Sequence, residues 1–253
     1  MLRLWPETVR IGLFDQHSWV TRGGPTTPVD SVAGQGGDAY LDTLASVLNN
    51  SSRPIAKGSK LALTVSDTLA LVHAIPWQGE LSGPDELERY ARACMINSGI
   101  DIGGEWELQT DFPNYAGMGL AVALKCDWML KLVALCEAHD MKLLSVLPVS
   151  SRAFAHRRSK RRSDDMQILM ESKRCTALTY GSKGLVACDV EPIAGKPDMA
   201  LQRLIRRTHA TRPAVPRIGL WSEDAGENMR LQEVIRTEIP GAVPAPLAAG
   251  WRR

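Results

Sequence analysis

The chain has 253 residues, of which 44% are hydrophobic and 23% are charged, and this composition argues against a disordered, collagen-like or coiled-coil protein. The net charge of +2 is unevenly spread: residues 1–151 carry 11 Lys and Arg with 17 Asp and Glu, giving −6, and residues 152–253 carry 19 and 11, giving +8. The acidic front and the basic back are the first indication of two structural units.

The first fifty residues predict a strand pair, a loop and a helix. Val9–Phe14 and Ser18–Thr21 alternate loosely between apolar and polar residues on either side of a turn at Asp15–His17. Residues 22–38 are rich in Gly, Pro, Thr and Asp and predict a loop. Residues 40–50 repeat leucine at helical spacing and predict a helix.

The next part of the chain predicts two strand pairs with a helix between them. Leu61–Val65 and Leu69–Ile75 are apolar runs on either side of Ser-Asp-Thr, which predicts a hairpin. A proline and two acids mark the start of a helix that runs to about residue 97. A second pair is predicted at 105–112 and 118–124.

The middle of the chain predicts a helix, a strand and a basic linker. The helix at 128–139 has apolar residues on most of its faces, which is typical of a largely buried helix. A strand follows at 141–147. We place the division between two lobes at a basic linker, 156–162, so that the first lobe spans 1–155 and includes an inserted subdomain, and the second spans 163–253.

Strands and helices alternate in the second half. The predicted elements are strands at 167–170, 175–180 and 185–190, a helix at 198–209, a strand at 217–221 and a helix at 223–239. The tail that follows is expected to be loose. The second half therefore has the order β-β-β-α-β-α. The first half has a similar order, a strand pair, a helix, a strand, a helix and further strands, and we interpret it as a copy of the same order with an insertion. Strands that alternate with helices predict an α/β protein built on layered sheets.

Cysteines, histidines and apolar runs limit the compartment and the cofactors. The five cysteines contain no CxxC pair and the five histidines are scattered, so we expect neither a disulfide framework nor a metal site. No run approaches the ~20 apolar residues that span a bilayer, and the first residues lack the apolar core of a signal peptide. These features predict a cytoplasmic protein that does not itself cross the membrane.

The duplicated element order resembles the actin-like, ribonuclease H-like fold. Within it, residues 61–155 resemble the PilM family of type IV pilus assembly and the cytoplasmic part of the GspL family of type II secretion. The pattern is a hairpin ending at Pro76, an acid-rich helix at Asp85–Tyr90, and a helix and strand ending in proline at Trp128–Pro148, continued by residues 151–155. Beyond Pro148 the PilM and GspL pattern is an alanine-rich helix.

The resemblance implies a scaffold that works through its surface. It would dock a membrane protein's tail, a secretion ATPase, or both, onto an inner-membrane assembly platform, and it would reach the membrane through these partners. Self-association is a further possibility. An unrelated α/β domain with the same element order by coincidence is an alternative.

The nucleotide chemistry of actin-like proteins needs two glycine-containing hairpin turns whose backbone N–H groups hold phosphates, and an Asp that holds the metal or its water. Here the corresponding turns, Phe14–Ser18 and Glu171–Cys175, keep acids in Asp15 and Glu171 but lack glycine. The resemblance therefore favours a protein with no catalytic residues and no cofactor. The alternative is an actin-like ATP-binding protein or ATPase with divergent phosphate loops, in which Asp15 and Glu171 replace the usual acids.

Two segments are candidates for partner binding. Trp77 follows a strand-ending proline and is poorly explained by a core pattern, so we predict a contact patch formed by Trp77 and Leu81. The basic residues of the linker region are Arg157, Arg158, Lys160, Arg161 and Arg162. A solvated linker and contact with an acidic partner or anionic membrane both stay open for them, and nucleic-acid binding is the third interpretation of such a run. We do not expect nucleic-acid binding, because the second half has few aromatic residues and no recognition motif.

Overall fold

Three β-sheets with helices packed on them make up this protein in a computed structural model that describes residues 6–32, 36–49, 55–81, 83–160, 165–211 and 217–247. The strands are β1 (Thr8–Leu13), β2 (Ser18–Thr21), β3 (Thr27–Val29), β4 (Lys60–Val65), β5 (Ala70–Ile75), β6 (Trp106–Asp111), β7 (Gly119–Lys125), β8 (Lys142–Pro148), β9 (Met166–Met170), β10 (Arg174–Gly181), β11 (Gly184–Pro192), β12 (Arg217–Ser222) and β13 (Val243–Pro246). The helices are α1 (Gly37–Asn49), α2 (Pro84–Asn97), α3 (Cys126–Ala138), α4 (Val149–Lys160), α5 (Pro197–Thr211) and α6 (Asn228–Glu238).

The first sheet has the strand order β3-β2-β1-β4-β8. The hairpins β1–β2 and β2–β3 are antiparallel, whereas β4 lies parallel to both β1 and β8. Val9, Ile11 and Leu13 alternate along β1 and are fully buried together with residues of α1 and α3. One face of the sheet is thus covered by these helices, as the period-2 pattern of a strand requires.

The second sheet repeats the arrangement with the order β11-β10-β9-β12-β13. Met166, Ile168 and Met170 of β9 pack with residues of α5 and α6. The duplicated element order predicted from the sequence is therefore confirmed. The second sheet has one strand more than the sequence predicted, because β13 lies parallel to β12 in the segment that was expected to be a loose tail. Its two prolines are tolerated because β13 is an edge strand.

The small sheet, with the order β5-β7-β6, is the insertion in the first copy. The predicted antiparallel pair β6–β7 is confirmed, and α2 covers one face of this sheet. The predicted hairpin between Leu61–Val65 and Leu69–Ile75 is wrong. The first run is β4 of the first sheet and the second is β5 of the small sheet, and a short 3₁₀ turn at Asp67–Leu69 redirects the chain between them.

Two further predictions need correction. The predicted loop 22–38 contains the edge strand β3, which pairs with β2. Helix α3 is not buried most of the way round, since Leu130 is 71% exposed and its buried residues are Trp128, Leu132 and Cys136. Some apolar side chains of α3 are therefore exposed to solvent and are not packed in the core.

Helix α4 connects the two large sheets. Val149 and Phe154 share a hydrophobic cluster with Leu178 and Tyr180 of the second sheet. Residues 156–160 of the predicted linker form the end of this helix, while residues 161 and 162 lie outside the described residues. The division of the chain into lobes at this point stays a prediction. None of the described helices combines the length and the apolar character needed to cross a membrane.

Candidate functional site

Two turns meet where the large sheets come together. The first turn, Asp15–His17, follows β1, and the second turn, Glu171–Lys173, follows β9. The Ser172 hydroxyl donates a hydrogen bond to Asp15 Oδ2 at 2.8 Å, and Lys173 Nζ lies 3.0 Å from the same oxygen. The two turns that carry the acids singled out from the sequence, Asp15 and Glu171, are thus in direct contact.

Asp15 is held as an ionised acceptor. Its other oxygen, Oδ1, accepts a hydrogen bond from the Tyr40 hydroxyl at 2.8 Å. Burial raises the pKa of Asp15, but the hydrogen bonds from Ser172 and Tyr40, together with the Lys173 ammonium, outweigh it and leave the pKa below its usual value. The carboxylate therefore serves as a fixed link between α1, the first turn and the second turn.

The Glu223 carboxylate lies between the two turns. Its Oε1 accepts hydrogen bonds from the backbone N–H groups of Gln16 at 2.6 Å and His17 at 3.1 Å. Its Oε2 accepts one from the Ser172 N–H at 2.9 Å. Glu223 comes directly after β12 and is only 7% exposed. A single side chain thus satisfies the amide groups of both turns.

A second buried acid cluster lies behind the second turn. Both carboxylate oxygens of Glu171 accept the N–H of Asp67 at 3.1 Å. The Asp67 carboxylate accepts hydrogen bonds from the N–H and hydroxyl of Ser150, in the first turn of α4, and from the Thr176 hydroxyl. Arg174 donates to the backbone carbonyl groups of Asp67 and of Ala70, the first residue of β5.

Burial governs the protonation of this pair. It raises the pKa of Asp67, with Arg174 and the hydrogen bonds from Ser150 opposing it. Burial and then the neighbouring Asp67 carboxylate raise the pKa of Glu171 well above its usual value. Asp67 and Glu171 therefore form a structural joint between β4, α4 and the second turn.

An apolar groove opens away from the turns, between β8 and the small sheet. It has a volume of about 430 Å³. One wall is the edge of β8, at residues 143–148, and the other is the face of the small sheet that carries Leu120, Val122 and Leu124. The opposite face of that sheet packs on α2.

Comparison with solved structures identifies the architecture. A Bacteroides thetaiotaomicron protein, described as having an actin-like ATPase fold and unknown function, superposes with a TM-score of 0.63 at 8% identity, over 94% of this chain and 90% of that one. The PilM–PilN type IV pilus biogenesis complex gives a TM-score of 0.66 at 11% identity, over 95% and 88%. This chain has the actin-like fold.

A third similar structure is the cytoplasmic domain of EpsL, an inner membrane component of the type II secretion system of Vibrio cholerae. It superposes with a TM-score of 0.53 at 10% identity, over 96% of this chain and 86% of that domain. No family model and no curated protein matches the sequence. The predicted likeness to PilM and GspL is confirmed as a likeness of fold.

A nucleotide does not fit the two turns of this actin-like chain. The backbone N–H groups of Gln16, His17 and Ser172 already donate to the Glu223 carboxylate, and a phosphate there would compete for the same donors and be repelled by its charge. Within the described residues no three His, Cys, Asp or Glu side chains are grouped as metal ligands.

Trp77, one of the predicted partner-binding residues, belongs to an aromatic cluster and not to the contacts of the two turns. Trp77 packs edge-to-face on Phe112, with ring centroids 5.5 Å apart, and lies 5.4 Å from the ring of Tyr115, which is 86% exposed. Leu81 is partly buried. Trp77 is therefore part of a partly buried aromatic cluster of which Tyr115 is the exposed member, and its role as a contact patch stays a prediction.

The basic run is partly used inside the protein. The Arg157 guanidinium stacks 3.8 Å from the centre of the Tyr180 ring, which joins α4 to β10. Arg158 and Lys160 belong to α4, and Arg161 and Arg162 lie outside the described residues. Binding of a partner by these residues stays a prediction.

Sequence reasoning missed the two acids that organise the site, Asp67 and Glu223. Both follow a buried strand, β4 or β12, at the end where ligands and polar clusters collect in sheets with parallel strands. That position was the available signal. It was overlooked at Asp67 because the segment was interpreted as a hairpin turn.

Proposed function

We propose that this protein is a non-catalytic scaffold on the cytoplasmic side of an inner-membrane assembly platform, and that it docks an extended tail of a membrane protein in the groove beside β8. The observation that carries the proposal is the edge of β8, unpaired among the described residues, which faces an apolar sheet surface. Two similar structures support it, since one is a PilM–PilN complex of pilus biogenesis and the other is an inner-membrane component of type II secretion.

The edge of β8 offers backbone groups to a partner. Within the described residues β8 pairs on one side only, with β4. Residues 143–148 line the groove without a gap. Because successive side chains of a strand point to opposite faces, a continuous row of lining residues means that the edge of the strand meets the groove. An extended peptide can add there as a further strand through main-chain hydrogen bonds.

The facing wall offers apolar contacts. Leu120, Val122 and Leu124 alternate along β7 toward the groove, and Met129 and Phe154 add to its lining. A volume of about 430 Å³ accommodates a few side chains rather than a folded domain. The occupant is therefore a short apolar segment in extended conformation.

Charge indicates which apolar segment fits. The described residues that line the groove include the acids Glu107 and Asp111 and no Lys or Arg. Cytoplasmic segments next to a membrane span carry an excess of Lys and Arg. An apolar tail flanked by basic residues would match the groove in shape and in charge. A secretion ATPase as second partner and self-association stay predictions.

Peptides test this proposal directly. The probes are synthetic peptides covering the cytoplasmic tails of the host's inner-membrane proteins, titrated against the full chain. We expect apolar tails with basic flanks to bind, and we expect Val122→Arg to weaken binding at least about tenfold, since the arginine would fill the groove and bury a charge there. Val133→Arg is the matched control, because Val133 is 38% exposed on α3 and does not line the groove.

The outcome separates the groove from other surfaces. Binding that Val122→Arg leaves as tight as in the wild type would place the tail elsewhere and contradict the proposal. The absence of any bound tail would contradict it as well. Amide resonances of residues 143–147 should shift when a tail binds to the wild type.

A further inference from the structure

We propose that Glu223 is an internal ligand: its carboxylate fills an oxyanion site formed by the two turns, keeps external phosphate out and holds the turns together. This inference is independent of the proposed docking groove, which is lined by other residues. It concerns what the actin-like cleft of this chain does in place of binding a nucleotide.

The donors around Glu223 form a complete oxyanion site. The N–H groups of Gln16 and His17 come from the first turn, the N–H of Ser172 comes from the second, and all three point at one carboxylate over 2.6–3.1 Å. Convergent backbone N–H groups of this kind bind anions in general. The carboxylate is only 7% exposed, so it occupies the site in the interior rather than at the surface.

The duplicated fold provides an internal comparison. The Glu223 N–H donates to the carbonyl of Met170 at the end of β9, and the Ser66 N–H donates in the same way to Leu13 at the end of β1. Ser66 is thus the equivalent residue of the first copy. Its hydroxyl accepts from the Thr68 N–H and lies within hydrogen-bonding reach of Glu171. Because a serine occupies the equivalent position in the first copy, the fold does not require a glutamate there. We therefore assign the Glu223 carboxylate the role of accepting hydrogen bonds from the amides of the two turns.

Glu223 also ties distant parts of the chain together. Its partners Gln16 and His17 lie 207 and 206 residues away in sequence, and Ser172 lies 51 residues away. The Asp15–Lys173 ion pair spans the same junction beside it. Loss of the Glu223 carboxylate should therefore free amides of both turns at once.

Amide exchange and anion binding test the proposal in the full chain. In Glu223→Ala, we expect the amides of Gln16, His17 and Ser172 to exchange at least about tenfold faster than in the wild type, because each loses a charge-assisted hydrogen bond. Inorganic phosphate should bind Glu223→Ala at least about tenfold more tightly than the wild type and should slow exchange of these amides again. Glu223→Gln, which keeps one oxygen but no charge, should lie between the two.

Glu233→Ala is the matched control, because Glu233 is an exposed glutamate of α6 paired with Arg236. It should behave as the wild type in both measurements. Phosphate binding by the wild type as tight as by Glu223→Ala would overturn the proposal, and so would unchanged exchange of the three amides. The wild-type titration and Glu223→Gln decide the matter even if Glu223→Ala does not fold. Magnesium-dependent ATP binding by the wild type, abolished by Asp15→Ala, would favour the ATPase alternative.

Discussion

Removal of the Asp67 carboxylate should destabilise the junction between β4, α4 and the second turn. This carboxylate is fully buried and accepts hydrogen bonds from the Ser150 N–H at 3.1 Å, the Ser150 hydroxyl at 3.0 Å and the Thr176 hydroxyl at 3.3 Å. In Asp67→Ala the backbone N–H cannot turn to another acceptor, which costs about 1–3 kcal/mol. Loss of the two hydroxyl hydrogen bonds adds about 1 kcal/mol each.

An opposing contribution reduces this sum. Asp67 repels Glu171, so its removal relieves part of the cost of burying that second acid. We therefore expect Asp67→Ala to lower the free energy of unfolding by about 3 kcal/mol. Asp67→Asn keeps the shape and one acceptor oxygen, and it should cost about half as much.

Urea unfolding of the full chain, followed by circular dichroism at neutral pH, measures these differences. Asp42→Ala is the control, because Asp42 is exposed on α1, and its effect should stay within about 0.5 kcal/mol. A loss below about 1 kcal/mol in Asp67→Ala would refute the reasoning, since the Ser150 N–H would then have found another partner.

Two further predictions concern protonation and packing. Burial raises the pKa of Glu171 in the folded protein, so Glu171 takes up a proton on folding. The stability that this proton uptake contributes is complete below about pH 4 and falls as the pH rises. Glu171→Gln should gain in urea midpoint relative to the wild type from about pH 5 to about pH 8, and a constant difference would contradict the raised pKa. In Gly12→Ala the new Cβ would lie 2.2 Å from indole atoms of Trp19, so thermal unfolding should show a loss of about 1–3 kcal/mol, whereas an unchanged melting temperature would mean that the indole moves aside freely.

The sequence by itself determined the local elements and their order. Alternation in β1, and leucine spacing in α1 and α5, reflect which side of each element is buried, and that information is local. The absence of glycine from the two turns was also readable directly. The resemblance of the duplicated order to actin-like proteins implied the fold class, and the lack of glycine in the turns that those proteins use for phosphate implied the doubt about nucleotide binding.

Only the tertiary structure decided which strands pair and what lies between the turns. The apolar runs of β4 and β5 are neighbours in sequence, yet they belong to different sheets, because Asp67 is buried against α4 and the second turn instead of forming a hairpin. Glu223 reaches amides 207 residues away. Strand pairing and carboxylate contacts over such separations depend on the packing of the whole chain, and a local pattern of residues carries no information about them.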